Sequence, residues 1–500
     1  MELYLPFSTT VLAAIFFAVI LALFLLPILK RERENKRTYR EPPQANGKWP
    51  FIGHLHLLGG SSPTHELLGD MADNYGPIFT IKLGVHPVLV VSSGEMAKEC
   101  LTRNDKVFAS RPKSMASELM GYDYAMMGLA PYGDYWRQVR KLTMLEILSQ
   151  PRVERLAHVR ASELKSSMKD IYDAWVKSKE SETSDMVKVD MQQWFANLIL
   201  NVIVRVISGK RFSLMDEEGV RFQNVTRKMF DLLGTFVVSD FMPYLKRFDI
   251  GGYEKEMRTT AKEMDSIFDG WLEEHKREKE LEQQHEGKQV FTDVLFSILE
   301  GASKDEFLGF DHDTIIKALC LNILTAALDT TSVTLTWALS LLLNNPRALK
   351  LAQDEIDEHV GRERPVEESD MKNLVYLDAV IKETLRLYPA GPLALPHESM
   401  DDCIVAGYNI PKGTRLLINL WKIHRDPSIC CGRRMCPGIN FALQALRITL
   451  ATLLQQFVIL KPSNDPIDMN ESVGLTTSKA TPLEVLLAPR LSPDMNLSRA

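Results

Sequence analysis

The 500-residue sequence has no CxxC pair, no glycine-rich nucleotide loop, no internal repeat and no surplus of positive charge. The missing CxxC argues against a structural zinc site. With 59 lysines and arginines against 65 acidic residues, the net charge is -6. No basic stripe is present, so no nucleic-acid partner is expected. The six cysteines, Cys100, Cys320, Cys403, Cys430, Cys431 and Cys436, are scattered along the chain. Scattered thiols point to a reduced set rather than a disulfide framework. Charged residues at 25% and hydrophobic ones at 45% are ordinary globular values, and a chain of this length can bury a large core.

What is present begins with Val11 to Leu29, an uncharged apolar run. As a helix it spans about 28 Å, enough to cross a bilayer core. Lys30, Arg31, Arg33, Lys36, Arg37 and Arg40 follow it, against Glu32, Glu34 and Glu41. That excess predicts a cytosolic flank and a single-pass topology. A cleaved signal peptide fits poorly, because the positive charge lies after the apolar run. Residues 1–29 are therefore expected to be a transmembrane anchor and 30–53 a basic, proline-rich connector. The stiffness of the connector comes from Pro42-Pro43 and Pro50. Residues 54–500 then form one large domain.

Ile78–Leu83 and Pro87–Ser92 read as strands with a turn at Gly84, and small β elements recur at Cys403–Asn409 and Arg415–Leu420. The rest is mostly helical in pattern, so the fold expected is mainly α with small β-sheets. Asp313 to Asn344 reads as one long apolar helix stopped by Asn345-Pro346. At its middle stand Asp329 and Thr330, an acid beside a hydroxyl. They can serve a groove where protons are delivered, or the hydroxyl can simply bend the helix by bonding back to a carbonyl. Leu374 to Tyr388 reads as another helix, with Glu383 and Arg386 paired on one face. Trp136 and Arg140, four apart, share a face and can both bind carboxylates, although a solvated basic face reads the same way. Met120 to Leu129 can cover the core or line an apolar pocket. Phe230 to Tyr244 suits a lid or a membrane-contacting surface. Lys276–Lys288 reads as a solvated helix end and loop.

The sequence Gly432-Arg433-Arg434-Met435-Cys436-Pro437-Gly438 precedes an apolar helical run from Phe441 to Leu460. A thiolate there is favoured by free N–H groups of the helix terminus and by cationic neighbours. Gly432 and Gly438 permit a sharp turn and close approach of a flat cofactor. Arg434 can hold a carboxylate. These features suit a cysteine bound to haem iron, although for such a motif taken alone a buried structural cysteine in a surface turn is the commoner reading.

Taken together and in order, these motifs resemble the cytochrome P-450 superfamily of haem-thiolate monooxygenases. The plant microsomal type is the nearest in flavour, similar to the family numbered eighty-two. Trp49-Pro50-Phe51-Ile52-Gly53, Trp136-Arg137, Val366-Glu367-Glu368-Ser369-Asp370 and Pro396-His397-Glu398 carry that flavour. The resemblance implies haem b with Cys436 as its iron ligand, whose thiolate favours O–O cleavage. It implies propionate contacts from Trp136, Arg140, His397 and Arg434, and an oxygen-activating pair in Asp329 and Thr330. Electrons would come from NADPH through a membrane-bound reductase flavoprotein. The substrate would be a small lipophilic plant metabolite such as a terpenoid or flavonoid. The location would be the endoplasmic reticulum membrane, with the catalytic domain cytosolic.

One departure stands out. Between His424-Arg425-Asp426-Pro427 and Gly432 the family carries a few tens of residues, including a Pro-Glu-Arg-Phe motif. Here the spacing is Ser428-Ile429-Cys430-Cys431. An internal deletion near 429–431 is the reading, and it opens the alternative of a catalytically impaired relative that binds ligand or partners without turnover.

Overall fold

A computed structural model of the chain describes residues 40–425 and 434–491, apart from 61, 181–184, 213–216, 281–289, 302–306 and 308. The expected anchor over 1–29, residues 30–39 of the connector, Cys430, Cys431, Gly432, the 429–431 junction and most of Lys276–Lys288 lie outside the described residues.

The centre of the molecule is a helix, His312–Asn344. It begins where Asp311 Oδ1 accepts the Thr314 N–H at 2.8 Å, and it stops at Asn345, before Pro346. Its sides are buried for most of its length, and it packs most extensively against the helix Met191–Ser208. That second helix starts at Asp190, which accepts from the N–H groups of Gln192 and Gln193, and it ends at Gly209 in a left-handed conformation. We label the helices that matter here α1 (Thr64–Tyr75), α2 (Asp134–Leu142), α3 (Ala157–Glu180), α4 (Met191–Ser208), α5 (Tyr253–Glu280), α6 (His312–Asn344), α7 (Val375–Leu387) and α8 (Ile439–Gln456). The expected helices 313–344 and 374–388 are α6 and α7, within a residue at each end. The main apolar core gathers side chains from α3, α4, α6, α7 and α8.

The sheets are small. The strands are β1 (Ile78–Leu83), β2 (His86–Val91), β3 (Val187–Asp190), β4 (His397–Glu398), β5 (Cys403–Val405), β6 (Tyr408–Ile410), β7 (Arg415–Ile418), β8 (Phe457–Leu460) and β9 (Glu484–Pro489). The largest sheet runs β1-β2-β7-β4, with His397 opposite Leu416. A second sheet runs β3-β9-β8, and β5 and β6 form a hairpin. The β1–β2 turn needs glycine: Gly84 has φ 58°, and a Cβ there would lie 2.1 Å from the Phe241 carbonyl oxygen. The architecture is mainly α with small sheets, as the sequence pattern predicts.

One expectation is corrected. The run Phe441 to Leu460 is not one helix: α8 ends at Gln456, and Phe457–Leu460 is β8. The β-branched and aromatic end of the run pairs with β9, so a partner strand overrode the helical periodicity. The Phe230–Tyr244 region is the end of the helix Glu217–Gly234 followed by short 3₁₀ turns, and it leaves Phe236 and Tyr244 exposed.

Candidate functional site

Cys436 lies just ahead of α8, with Gly438 as the residue capping that helix. Arg434 precedes it and is held entirely by backbone. Its Nε donates to the Ala109 carbonyl at 2.9 Å, Nη1 to Met127 at 3.2 Å and Nη2 to Ala130 at 2.7 Å. The guanidinium also lies 4.5 Å from the centre of the Trp136 ring. Trp136 is buried on α2, and Arg140, one turn further along, donates to the Met435 carbonyl at 2.5 Å. Helix α2 is thereby tied to the residue beside Cys436.

His397 comes to the same place from β4. Its Nδ1 is 2.6 Å from the Phe108 carbonyl, so that nitrogen carries the proton. Burial, then the Arg111 charge, push its pKa down to about 3, so the ring is neutral. With Nδ1–H committed, the ring can donate from Nε2 only as an imidazolium, which a neighbouring carboxylate would favour. Arg111, which the sequence reading missed, completes the group. It donates to Leu395 at 2.5 Å, Pro396 at 2.8 Å and Gly128 at 3.3 Å. A single arginine before a proline carries no spacing signal, so only the fold reveals it.

Three guanidiniums therefore converge, and among the described residues the hydrogen bonds given for them all go to backbone carbonyls. Burial pushes Arg434 down to about 9, and Arg111 and Arg140 push it the same way. Like charges held this close by neutral carbonyls call for a dianionic ligand. This donor set fits the two propionates of haem, with Cys436 offering its sulfur alongside.

Cys436 itself is exposed at its loop, yet the protein around it pushes the thiol pKa up, against the Gly438 N–H and the Arg140 charge. Gly438 has φ -94°, and a Cβ there would meet nothing within 4 Å. The chain does turn at 437–438, with open space beside Gly438.

The loop 120–130 joins this cluster to α6, because Gly128 N–H donates to Asn322 Oδ1 at 2.8 Å. Within the loop, Tyr122, Asp123 and Tyr124 all have positive φ, a strained run fixed by hydrogen bonds back to Glu118 and Ser117. Further along α6, Ala326 to Thr330 form an open window between the buried stretches 321–325 and 331–340. Thr330 Oγ1 donates to the Ala326 carbonyl at 2.7 Å, and α6 stays helical through it. Asp329 accepts from Thr476 Oγ1 and lines a polar cavity of about 350 Å³, shared with Asp190, Arg227 and Lys479. Burial raises the Asp329 pKa. Acid and hydroxyl are thus adjacent in the chain, but the acid is turned toward Thr476, a partner with no sequence signal.

Glu383 and Arg386 pair in two contacts of 2.7 Å, and Arg386 also donates to the His424 carbonyl at 3.3 Å. The pair is half open, with 53% of the Glu383 side chain accessible.

Comparison with known proteins follows the same lines. The sequence model described as cytochrome P450 matches residues 42–429 and 430–485, in two pieces that meet between Ile429 and Cys430. Demethylepipodophyllotoxin synthase of Sinopodophyllum hexandrum is 47% identical over 95% of this chain and 97% of its own. That alignment, at 513 positions, is longer than this chain. Flavonoid-6-hydroxylase of Mentha piperita is 45% identical, covering 98% and 99%, and cytochrome P450 82A4 of Glycine max is 44% identical, covering 99% of each. Among solved structures, a zebrafish cytochrome P450 with progesterone superposes with a TM-score of 0.72, at 24% identity, over 86% of this chain and all of its own.

Proposed function

This chain belongs to the cytochrome P450 family, and on that premise we propose that it hydroxylates a small lipophilic plant metabolite of flavonoid or terpenoid type. As a family member it is a monooxygenase-type oxidoreductase that uses haem iron and electrons supplied by a reductase. The observation that carries the reading is the trio Arg111, Arg140 and Arg434 held by carbonyls beside Cys436. Cys436 is the proposed iron ligand, and Trp136, Arg140, His397 and Arg434 are the proposed propionate holders, with Arg111 added to them. Haem held there supplies the activation of dioxygen and the transfer of one oxygen atom to a carbon–hydrogen bond.

The protein's own groups do the rest. The cationic cluster would hold the carboxylates of the cofactor, and Trp136, whose ring lies against the Arg434 guanidinium, would limit water there. Thr330, with its hydroxyl hydrogen on the Ala326 carbonyl, presents its oxygen lone pairs to the window in α6. It can accept a hydrogen bond there, and on releasing the Ala326 carbonyl it can give its own hydrogen inward while taking up another proton from behind. Asp329, turned toward Thr476 and made easier to protonate by burial, is the proposed proton reserve and not a direct partner of Thr330. The hydroxylase name of the peppermint relative supports hydroxylation as the outcome.

For the whole chain, residues 1–29 are the proposed anchor in the endoplasmic reticulum membrane, 30–53 the connector and 54–500 the cytosolic catalytic domain. Exposed Trp49, Phe51, Phe236, Tyr244 and Phe248 support contact of that domain with the bilayer surface. The electron donor is the proposed NADPH-dependent reductase flavoprotein.

A second reading has its own support. The split of the family match at 429–430, the long alignment and the half-open Glu383–Arg386 pair favour a chain shortened just before its cysteine loop. Such a chain would bind haem poorly or not at all. One experiment separates the two: the reduced, carbon monoxide-bound spectrum of the chain as given, beside a version with a family-length segment inserted after Ile429. A full thiolate-type band in the chain as given, lost in Cys436→Ala and kept in Cys430→Ala, supports the monooxygenase. A band that appears only after insertion makes this chain the impaired relative. No band in either version sinks the haem-thiolate assignment.

A further inference from the structure

The motif Val366-Glu367-Glu368-Ser369-Asp370 has no part in the site described above, yet it is built into the helix that follows Cys436. Glu368 accepts from Arg160 Nε at 2.6 Å and from Nη2 at 2.8 Å. Arg160, on α3, is only 2% exposed. The same Nη2 donates to Gln444 Oε1 at 2.8 Å, Nη1 donates to the Val153 carbonyl at 3.0 Å, and the guanidinium lies 5.2 Å from the Phe441 ring centre. Phe441 and Gln444 occupy the first two turns of α8. At the far end of α8, the fully buried Gln455 accepts from the Val366 N–H at 2.9 Å and donates to the Gly361 and Arg364 carbonyls at 2.9 Å each. The turn itself is locked by Asp370, which takes two hydrogen bonds from Arg364 at 2.6 and 2.7 Å and one from the Glu367 N–H.

Gln444 and Gln455 are separated by three helical turns, so they lie on one face and about 16 Å apart along the axis. Segment 361–370 and Arg160 therefore grip α8 at two points on the same face. Apolar packing alone tolerates small slides and rotations of a helix, whereas two directional, buried grips do not. Any rotation of α8 would swing the loop at its N-terminus, which carries Cys436.

We infer that Arg160, Gln444 and the 366–370 turn are positioning residues for Cys436, setting the register of α8 and so the placement of the sulfur. The inference rests on the haem-thiolate reading for its consequence, but its geometry belongs to the protein alone. Groups that orient a metal ligand from behind typically change metal retention by about 10–100-fold when removed.

The test uses the full chain with Gln444→Met, which leaves the Arg160–Glu368 pair intact, and Arg160→Met, which also removes that pair. Amide exchange is followed on the haem-free protein, and haem loss with the position of the carbon monoxide band on whichever form of the chain loads haem. Both variants should speed exchange in residues 439–447 while leaving the first turns of α6 as in the parent. In the loaded form Gln444→Met should release haem about tenfold faster and shift part of the band away from the thiolate position. A band and haem-loss rate equal to the parent in Gln444→Met would overturn the inference. So would unchanged exchange in 439–447, which is readable even if no form of the chain loads haem. Failure to load haem at all would count against the monooxygenase reading, while faster exchange would still stand for the grip on α8.

Discussion

At the scale of single residues, Thr330 has two duties in one oxygen atom. Its hydrogen is bonded to the Ala326 carbonyl, and its oxygen, within the open stretch 326–330, can still accept a hydrogen bond. If bending the helix were its whole purpose, Thr330→Ala would leave electron use and product formation in step. We expect instead that Thr330→Ala, in a form with haem loaded, consumes NADPH with little product and releases peroxide. The loss of coupling should stay within about 10²–10⁴-fold, the range for positioned acid–base help. Product per NADPH equal to the parent would reduce Thr330 to a helix residue. The neighbouring Asp329 bonds to Thr476, so Asp329→Asn should also disturb that contact, which makes Thr330 the cleaner probe.

At the scale of elements, the turn at 366–370 depends on a charge. Arg364 holds the Asp370 carboxyl below its ordinary value of 3.8, against the opposing effect of burial. A carboxylate depressed in the folded state adds stability above its unfolded-state pKa and loses it as pH falls through the folded value. The contribution of this pair should thus be complete at neutral pH and fade below about pH 4. Because Arg364 is nearly half exposed, its size should be about 1 kcal/mol. Denaturant titrations of the parent and Asp370→Asn should show a stability gap at pH 7 that narrows on acidification. A gap that is constant with pH would mean that the turn is held by shape and not by the ion pair. The same element shows why α8 ends at Gln456: the next four residues find a strand partner in β9, which a helical period cannot anticipate.

At the scale of the molecule, the described domain carries exposed aromatic residues on two segments that meet. Val85 N–H, in the β1–β2 turn, donates to the Phe241 carbonyl at 3.0 Å, and Gly53 N–H donates to the Trp49 carbonyl near the same turn. Phe51, at 83% exposure, is the most exposed of the large apolar side chains there. A surface of this kind supports the proposed placement of the domain on the cytosolic face of a membrane. Protease added to sealed microsomes should therefore digest the domain while leaving the first 29 residues protected. Protection of the domain itself would reverse the topology.

Some of this was legible in the chain by itself. Helix α6 follows from Asp311, an apolar run and Asn345-Pro346, all of which act within a turn of where they stand. The pair Glu383–Arg386 follows from spacing on one helix, and the cysteine loop from residues adjacent in sequence. The short spacing before Gly432 was also countable in the sequence, and it carries the proposal of a shortened chain. The fold alone decided the rest. Arg111, Trp136, His397 and Arg434 meet although they come from four separate segments, and Arg160 reaches Glu368 across 208 residues of sequence. Contacts of that separation leave no periodicity in the sequence, since each partner need only suit its own local element. Burial, which keeps the His397 ring neutral, is likewise a property of the packed whole and not of its neighbours in the chain.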